Sequence, residues 1–391
     1  MNAIVQATAS KPLALGFIGG SLRSAVGYAH SAACGMDGRW DIAAGCFSTD
    51  ETMNRETAQA YGVSEARTYR DWSSMLVQEK ERLDAVLVLS PTPLHGKMVT
   101  ACLERGIPVI CEKSLAISGD EVRRIIAARD ANKGFLAVTY NYSGYPMVRE
   151  LRRIIASGRL GRILHFQAEM PQEGFIRVDA QGNKPVPQWW RLSDGDVPTI
   201  HLDLGIHLHQ LIFYLIRQQP LAVVADQASN GWFSGIIDNV MCLGRYSGNV
   251  QGQFWFSKSA LGHRNGLRLR IYGSEGSAEW YQANPEELIL AFGNGKREIL
   301  DRAASVEVAN MARYARFKAG HPAGFIEAFA NLYRDIADCL SSYRQTGDSY
   351  SEEVFGPELA LEGLRFLEAM TLSAETGKWC DVAGIKMNQG E

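Results

Sequence analysis

The chain has 391 residues, which predicts two domains, because single hydrophobic cores stop growing at about 250–300 residues. Its apolar content of 46% and charged content of 21% are typical of a globular protein with a large core. The net charge of −3 argues against a nucleic-acid surface or a basic membrane patch. No apolar run is long enough to span a bilayer, and the first residues lack the charged and apolar segments of a secretory signal.

The seven cysteines are scattered and form no CxxC pair. An odd, dispersed set indicates free thiols in a reducing compartment rather than a disulfide framework. We therefore expect a cytoplasmic protein that has no nucleic-acid or membrane partner.

The front of the chain has the order strand, glycine turn, helix. An apolar run at 13–18 leads into a turn, and a helix is expected from about Ser24. A helix N-terminus offers free N–H groups and a positive dipole end to a pyrophosphate. A strict GxGxxG is absent, and the predicted contacts are Gly19, Gly20, Ser21 and Leu22.

Strands and helices then alternate as far as residue 141, with further strands expected at 40–47, 83–89, 107–111 and 135–140. Alternation of this kind requires parallel strands with right-handed crossovers, so residues 1–141 are predicted to form a doubly wound Rossmann domain. Ligands of such sheets lie beyond the carboxyl ends of the strands. The candidates at that edge are Ser48, Pro91, Thr92, His95, Glu112, Lys113 and Asn141.

The end of the second strand bears on the choice of cofactor, NAD or NADP. An acidic residue there would bind the ribose 2′-OH of NAD, but the chain has Ser48, with Arg55 further on. A hydroxyl near an arginine can accept a 2′-phosphate, while Asp50 could also reach the ribose. The structural alternative for Ser48 is a helix cap.

Residues 142–391 are predicted to form an α+β domain. Alternating segments at 162–169, 239–246, 249–256, 267–272 and 276–280 indicate a large open, mostly antiparallel sheet. Long amphipathic helices are expected at 322–343 and 357–376. The polar face of such a sheet can cover the nucleotide domain or form a subunit interface.

A second set of candidates lies at 199–210, which is predicted to open a buried helix. Asp203 and His207 are four residues apart and so share one helix face, where a carboxylate can orient an imidazole for acid–base work. The alternative is a satisfied core pair. The preceding irregular stretch, 174–198, contains Trp190 and Arg191, which could contact a sugar or simply pack as a surface loop.

Taken together, these motifs resemble the Gfo/Idh/MocA family of sugar and polyol dehydrogenases over nearly the whole chain. Glu112-Lys113-Ser114 resembles the family's EKP motif, with serine in place of proline, and Asp203-Leu-Gly-Ile-His207 resembles its DxxxH motif. Tyr140-Asn141-Tyr142 is similar to a YNY segment, and Thr92-Pro-Leu-His95 to the loop beside the nicotinamide. The Trp190-Arg191 pair and Gly320-His-Pro322 resemble one branch of the family.

The resemblance implies an NAD(P)-dependent oxidoreductase that transfers a hydride between the nicotinamide and a carbinol or ketone of a sugar, glycoside or polyol. Lys113 and His207 would be the acid–base pair, and Asp203 would orient His207 or bind a neighbouring hydroxyl. The implied substrate contacts are Lys113, Tyr142, Trp190, Arg191, Asp203 and His207. The resemblance also implies a homo-oligomer, a dimer or tetramer, formed through the C-terminal sheet.

Two other classes of function stay open. The cluster His201, Asp203, His207 and His209 could ligate a metal in a hydrolase or isomerase, although residues two apart on a helix point away from each other. We therefore expect no metal. A non-catalytic, nucleotide-dependent sugar sensor is the other alternative, and retention of Lys113, Asp203 and His207 argues against it.

Overall fold

The computed structural model describes residues 11–383. The stretch before Lys11, on which the expected absence of a secretory signal rests, lies outside them. The described residues divide into two compact units that interleave along the chain. The first contains the residues up to Ala116, Asp120–Tyr145 and Ala323–Ala360, and the second contains Ile117–Gly119, Pro146–Pro322 and the residues from Leu361 on. The boundary at 141/142 is a division in chain order, and it stays a prediction.

The first unit is built on a parallel sheet. Its strands are β1 (Leu13–Gly19), β2 (Trp40–Cys46), β3 (Ala85–Leu89), β4 (Val109–Glu112) and β5 (Leu136–Thr139). They lie in the order β2-β1-β3-β4-β5, and every neighbouring pair is parallel. The middle strand β3 is buried along its whole length, as the continuous apolar run from Ala85 to Leu89 predicts. The predicted Rossmann sheet is confirmed.

Helices connect these strands, and further helices follow the sheet. They are α1 (Gly27–Met36), α2 (Glu51–Ala60), α3 (Trp72–Glu79), α4 (His95–Glu104), α5 (Gly119–Ala131), α6 (Pro146–Ala156), α7 (Ile206–Ile216), α8 (Phe325–Thr346) and α9 (Pro357–Thr376). Helix α8 is distant in sequence from the parallel sheet but belongs to the same unit. Its buried residues Phe329, Tyr333 and Ile336 join Leu15 and Phe17 of β1 in one hydrophobic core.

The second unit contains a nine-stranded sheet. Its members are β6 (Ile163–Pro171), β7 (Pro220–Ala228), β8 (Asn239–Tyr246), β9 (Val250–Ser257), β10 (Arg268–Gly273), β11 (Gly276–Tyr281), β12 (Asn284–Phe292), β13 (Arg297–Leu300) and β14 (Cys380–Asp381). Every pair is antiparallel except β6 with β9. The predicted open, mostly antiparallel sheet is confirmed.

Several element boundaries differ from those predicted. Helix α1 begins at Gly27 rather than Ser24, because Ser24 accepts hydrogen bonds that close the preceding turn. Helix α4 begins at His95, so the expected loop at 90–95 ends in a short 3₁₀ turn and the start of a helix. Strand β4 begins at Val109 and ends at Glu112, where residues 107–111 were expected. Elements α3, α6, β7, β12, β13 and β14 were not predicted from the sequence patterns.

Candidate active site

The glycine turn after β1 has the conformation that a close ligand approach requires. Gly19 and Gly20 both have positive φ, at 82° and 76°. A Cβ on Gly19 would lie 2.9 Å from the Leu89 carbonyl group, so only glycine fits between the two strands. The Leu22 N–H donates to the Thr57 hydroxyl at 3.2 Å, which ties the turn to α2. The strand–turn–helix arrangement predicted for a pyrophosphate is present.

The end of β2 is organised around Asn54 and Asp50. The Asn54 side-chain oxygen accepts from the Phe47 and Ser48 N–H groups, at 2.8 and 3.3 Å. Asp50 is the N-cap of α2 and accepts from the Met53 N–H at 2.7 Å. The Ser48 hydroxyl accepts from the Asp50 N–H at 3.1 Å, so Ser48 supports the cap rather than forming it.

The segment after β3 is fixed by His95. Its two ring nitrogens lie 2.7 Å from the Ser90 and Ser114 carbonyl oxygens, so the ring ties two loops together. Burial lowers the pKa of His95, and the two carbonyl groups oppose this effect. His95 thus ties the loop that carries Pro91 and Thr92 to the loop at Ser114, and its predicted contact with the cofactor stays a prediction.

Two buried polar atoms at this sheet edge have no hydrogen-bond partner among residues 11–383: Ser90 Oγ and Asn141 Nδ2. Ser90 follows β3 directly, and Asn141 lies two residues after β5, so both are beyond the carboxyl ends of the strands. Buried polar groups are almost always paired in folded proteins, so an unpaired donor or hydroxyl at such an edge indicates a ligand partner. An amide-bearing dinucleotide fits these two positions and the glycine turn.

Glu112 is the last residue of β4, and Lys113 follows it at the same edge. The Glu112 carboxylate accepts from the Thr139 hydroxyl and lies 3.2 Å from His30 Nε2. Burial raises the pKa of this carboxyl, but contacts with His30, Lys113 and Thr139 outweigh burial and lower it overall. Glu112 is therefore an anion directly before Lys113 in the chain, and no sequence motif pointed to its partner His30.

In the second unit the predicted helix at 199–210 opens differently from an ordinary α-helix. Residues His201–Gly205 form a π-helical turn, and α7 follows from Ile206. Single π turns inside helices are rare and frequently occur at functional sites. Asp203 lies in the π turn and His207 in the first turn of α7, and both are buried.

Two cations hold the Asp203 carboxylate. Arg191 donates to both of its oxygens, with Nε–Oδ2 at 3.0 Å and Nη2–Oδ1 at 3.2 Å. The Lys258 ammonium, directly after β9, donates to Oδ2 at 2.5 Å. Asp203 is thereby fixed in position as an anion. Lys258 was missed by the sequence analysis.

The pair Trp190 and Arg191 is attached to the Asp203 carboxylate through Arg191. Trp190 is buried and donates from Nε1 to Gln188 at 3.0 Å, and the Arg191 guanidinium stacks 4.3 Å from the Trp190 ring. The structure therefore brings Trp190, Arg191 and Asp203 together. Tyr142, in the first unit, is buried and stacks on Tyr145 with ring centroids 6.3 Å apart.

A cavity of about 350 Å³ opens beside the end of β6. Charged side chains line it, including Glu173, Arg177, Asp179 and Arg264. Arg264 lies 2.7 Å from the Glu173 carboxylate, and the Phe175 ring lies under the Lys258 ammonium at 5.2 Å. The irregular stretch that carries Arg191 thus also forms a polar recess of small-molecule size.

A metal-dependent hydrolase or isomerase would need a set of ligating side chains, and residues 11–383 do not provide one. No group of three or more His, Cys, Asp or Glu side chains in that range is arranged to hold a metal ion. His209 instead lies 3.2 Å from Glu362, and burial lowers the pKa of His201 to about 4. In the same range no helix is long and apolar enough to cross a membrane.

Comparison with known proteins agrees with these features. Residues 15–140 match the oxidoreductase family with an NAD-binding Rossmann fold, and residues 148–279 match the GFO/IDH/MocA C-terminal domain. The fold and the dinucleotide edge define an NAD(P)-dependent dehydrogenase. The chain belongs to the Gfo/Idh/MocA family of oxidoreductases, as the motifs predicted.

The relatives cover nearly the whole chain. The uncharacterized oxidoreductase YfiI of Bacillus subtilis (strain 168) is 29% identical over 94% of this chain and 96% of its own length. An inositol dehydrogenase homolog from Azotobacter vinelandii, solved with NAD+, is 26% identical with a TM-score of 0.88, over 95% and 98% of the two chains. The same homolog in complex with NADH and myo-inositol is 27% identical with a TM-score of 0.85, over the same shares.

Proposed function

We propose that the protein oxidises a carbinol, or reduces the matching ketone, of a sugar, glycoside or polyol. The observation that carries this proposal is the placement of Lys113 directly after β4, at the edge where Ser90 Oγ and Asn141 Nδ2 lie buried without a protein partner within residues 11–383. Relatives named for myo-inositol and levoglucosan support the substrate class.

The dinucleotide would be held along the carboxyl ends of the parallel strands. Its pyrophosphate would lie at Gly19–Leu22, its ribose near Ser48 and its nicotinamide near Thr92 and Asn141. When bound, the cofactor accepts or donates the hydride. NAD and NADP are both candidates, because the position after β2 carries a hydroxyl rather than a carboxylate.

The chain's own residues would handle the proton. Lys113 would donate a hydrogen bond to the reacting oxygen and favour its alkoxide-like form by charge. His207 would take the hydroxyl proton in oxidation and return it in reduction. Asp203, fixed by Arg191 and Lys258, would orient His207 or accept from a neighbouring substrate hydroxyl.

We also propose that the open face of the nine-stranded sheet binds a second copy of the chain. Met241 and Leu243 of β8 are 57% and 51% exposed, and they alternate with buried neighbours. Met241 pairs with the half-buried Trp255 of β9 on the same face. Contiguous exposed apolar side chains on a sheet are typical of an interface. The number of copies is open.

A substrate panel tests the enzymatic proposal. Purified protein is mixed with NAD or NADP and with inositols, pyranosides, anhydrosugars and open-chain polyols, and the absorbance of the reduced cofactor is followed. NADH fluorescence measures binding in parallel. We expect turnover on at least one polyol by the wild-type protein and not by Lys113→Met, which should still bind NADH. Binding of both NADH and a sugar with no turnover would favour a non-catalytic sensor.

A further inference from the structure

Glu112 is the nearest charged neighbour of Lys113 along the chain, and it is anchored from two elements. The Thr139 hydroxyl of β5 donates to Oε1 from one side. His30 of α1 lies on the other, with Nε2 at 3.2 Å from the same oxygen. Both the carboxylate and the imidazole are buried. The carboxylate is thus held at a fixed position in the sheet edge.

His30 is in turn held by α8. Its Nδ1 lies 2.6 Å from the Tyr333 hydroxyl, and its ring packs on Phe329 with centroids 4.3 Å apart. A neutral imidazole would accept at Nδ1 from Tyr333 and donate from Nε2–H to Glu112, and an imidazolium would donate at both nitrogens, so Nε2–H donates to Glu112 in either form. Tyr333 and His30 therefore form a chain of hydrogen bonds that ends at the Glu112 carboxylate.

The charges that face Glu112 come from several elements. Lys113 and the His30 contact lower the pKa of the carboxyl, against the effect of burial. The thiol of Cys111 and the phenols of Tyr140 and Tyr333 also face it, as does His95 of α4. Burial raises the pKa of Cys111, Tyr140 and Tyr333, so these groups are neutral around pH 7.

We propose that His30, supported by Tyr333, is a positioning residue for Lys113 and acts by anchoring Glu112, the residue directly before Lys113 at the end of β4. The inference rests on the proposed role of Lys113 in catalysis. Without the His30 donor, the Glu112 side chain loses an anchor at the end of β4, and the backbone that carries Lys113 is less firmly held. The contact spans 82 residues of sequence, and no motif links its two ends.

Four variants test this chain by kinetics. His30→Ala should lower kcat about tenfold with little change in the KM for NAD, in the range typical of groups that orient a reacting residue. His30→Gln places an amide donor near the Nε2 position and should recover most of kcat. Tyr333→Phe should give an intermediate loss. Phe329→Leu removes packing on the ring but no hydrogen bond, and should lower the melting temperature while leaving kcat unchanged.

Equal losses of kcat in His30→Ala and Phe329→Leu would overturn the proposal, because packing alone would then explain them. The proposal would also be overturned if the losses of kcat in His30→Ala and Glu112→Gln were fully additive in the double variant. We expect the double variant to be about as slow as Glu112→Gln alone, since His30 acts through that carboxylate.

A second readout needs no turnover. The rate at which an amine reagent labels Lys113 is measured at one pH by peptide mass spectrometry, without substrate. Labelling should be severalfold faster in His30→Ala and in Glu112→Gln than in wild type or Phe329→Leu. If the wild-type protein turns over no polyol, the proposed function is wrong. The labelling rates would still show whether His30 positions Lys113. Unchanged labelling in both variants would refute this role of His30.

Discussion

The Arg191 guanidinium donates to both oxygens of the Asp203 carboxylate, at 3.0 and 3.2 Å. A paired geometry of this kind fixes orientation as well as charge. Arg191, which was predicted to contact the sugar, therefore binds a carboxylate of the protein itself, that of Asp203. A substitution of Arg191 should therefore also affect the position of Asp203.

The first prediction follows from that contact. Arg191→Ala should lower kcat/KM for the sugar by about tenfold or more, because removing one partner leaves a buried carboxylate less well compensated. The Kd for NADH should stay unchanged. Lys184→Ala is the matched control, since Lys184 lies in the same irregular stretch but stacks on Trp232 at 4.3 Å. Equal loss of sugar and NADH binding in Arg191→Ala would contradict a role at the sugar.

Cofactor choice is predicted to depend on Ser48. Ser48→Asp should lower the NADP/NAD ratio of kcat/KM by about tenfold or more, since two anions a few ångströms apart in a partly solvated site repel by about 1–4 kcal/mol. Ser48→Asn is the neutral control, which removes the hydroxyl without adding charge. A ratio that moves equally in both variants would show that charge at this position does not select the cofactor.

Hydrophobic pattern predicted most of the fold. Continuous apolar runs located the five parallel strands, and alternation located most of the larger sheet. Helix α3 was missed because it is short. Helix α6 was also missed, although Met147, Leu151 and Ile154 recur at helical spacing and are buried, so the sequence pattern could have predicted it.

The candidate site was only partly predictable, for a different reason. Motif spacing identifies residues that lie close in sequence, such as Glu112 with Lys113 or Asp203 with His207. Lys258 lies 55 residues from Asp203, and His30 lies 82 residues from Glu112. A single lysine after a strand, or a single histidine on a helix, carries no spacing signal. These partners become visible only when the fold brings them into contact.

Stability should depend on pH through His201. Burial lowers its folded-state pKa from 6.5 to about 4, with Gln227 opposing the shift. The unfolded chain therefore binds a proton first, so this contribution to stability is complete above pH 6.5 and is lost as the pH falls towards 4. Between pH 7 and 5 the loss should be about 2 kcal/mol.

Urea unfolding at several pH values measures this effect. His201→Leu should flatten the decline between pH 7 and 5 relative to the wild-type protein. His263→Leu is the control, because His263 is exposed in the loop after β9, outside the strands of the sheet, and its replacement should leave the slope unchanged. An unaltered slope in His201→Leu would show that other groups, such as the buried His95, dominate the acid limb.

Self-association should depend on the open sheet face. Leu243→Asp places a charge among exposed apolar side chains and should lower the sedimentation coefficient towards that of a single chain. Leu261→Asp is the matched control, because Leu261 is 63% exposed in the loop after β9, outside the strands of the sheet. Identical sedimentation of Leu243→Asp and the wild-type protein would place the interface elsewhere or indicate a monomer.

The last prediction concerns Lys113 and His207, which belong to different units of the chain. Removing either should slow the chemical step by about 10²–10⁴ without preventing NADH binding, the cost typical of a lost acid–base group. The loss in Lys113→Met should reach the upper part of that range, since a charge that favours the alkoxide is also removed. The double variant should be little slower than the worse single variant, because groups that serve one proton transfer act as a unit. For oxidation, kcat/KM should rise with pH as the imidazole loses its proton, and this limb should vanish in His207→Ala. If His207→Ala keeps both its activity and the rise of kcat/KM with pH, Lys113 is the base instead. Near-wild-type rates in both single variants would rule out this dehydrogenase site.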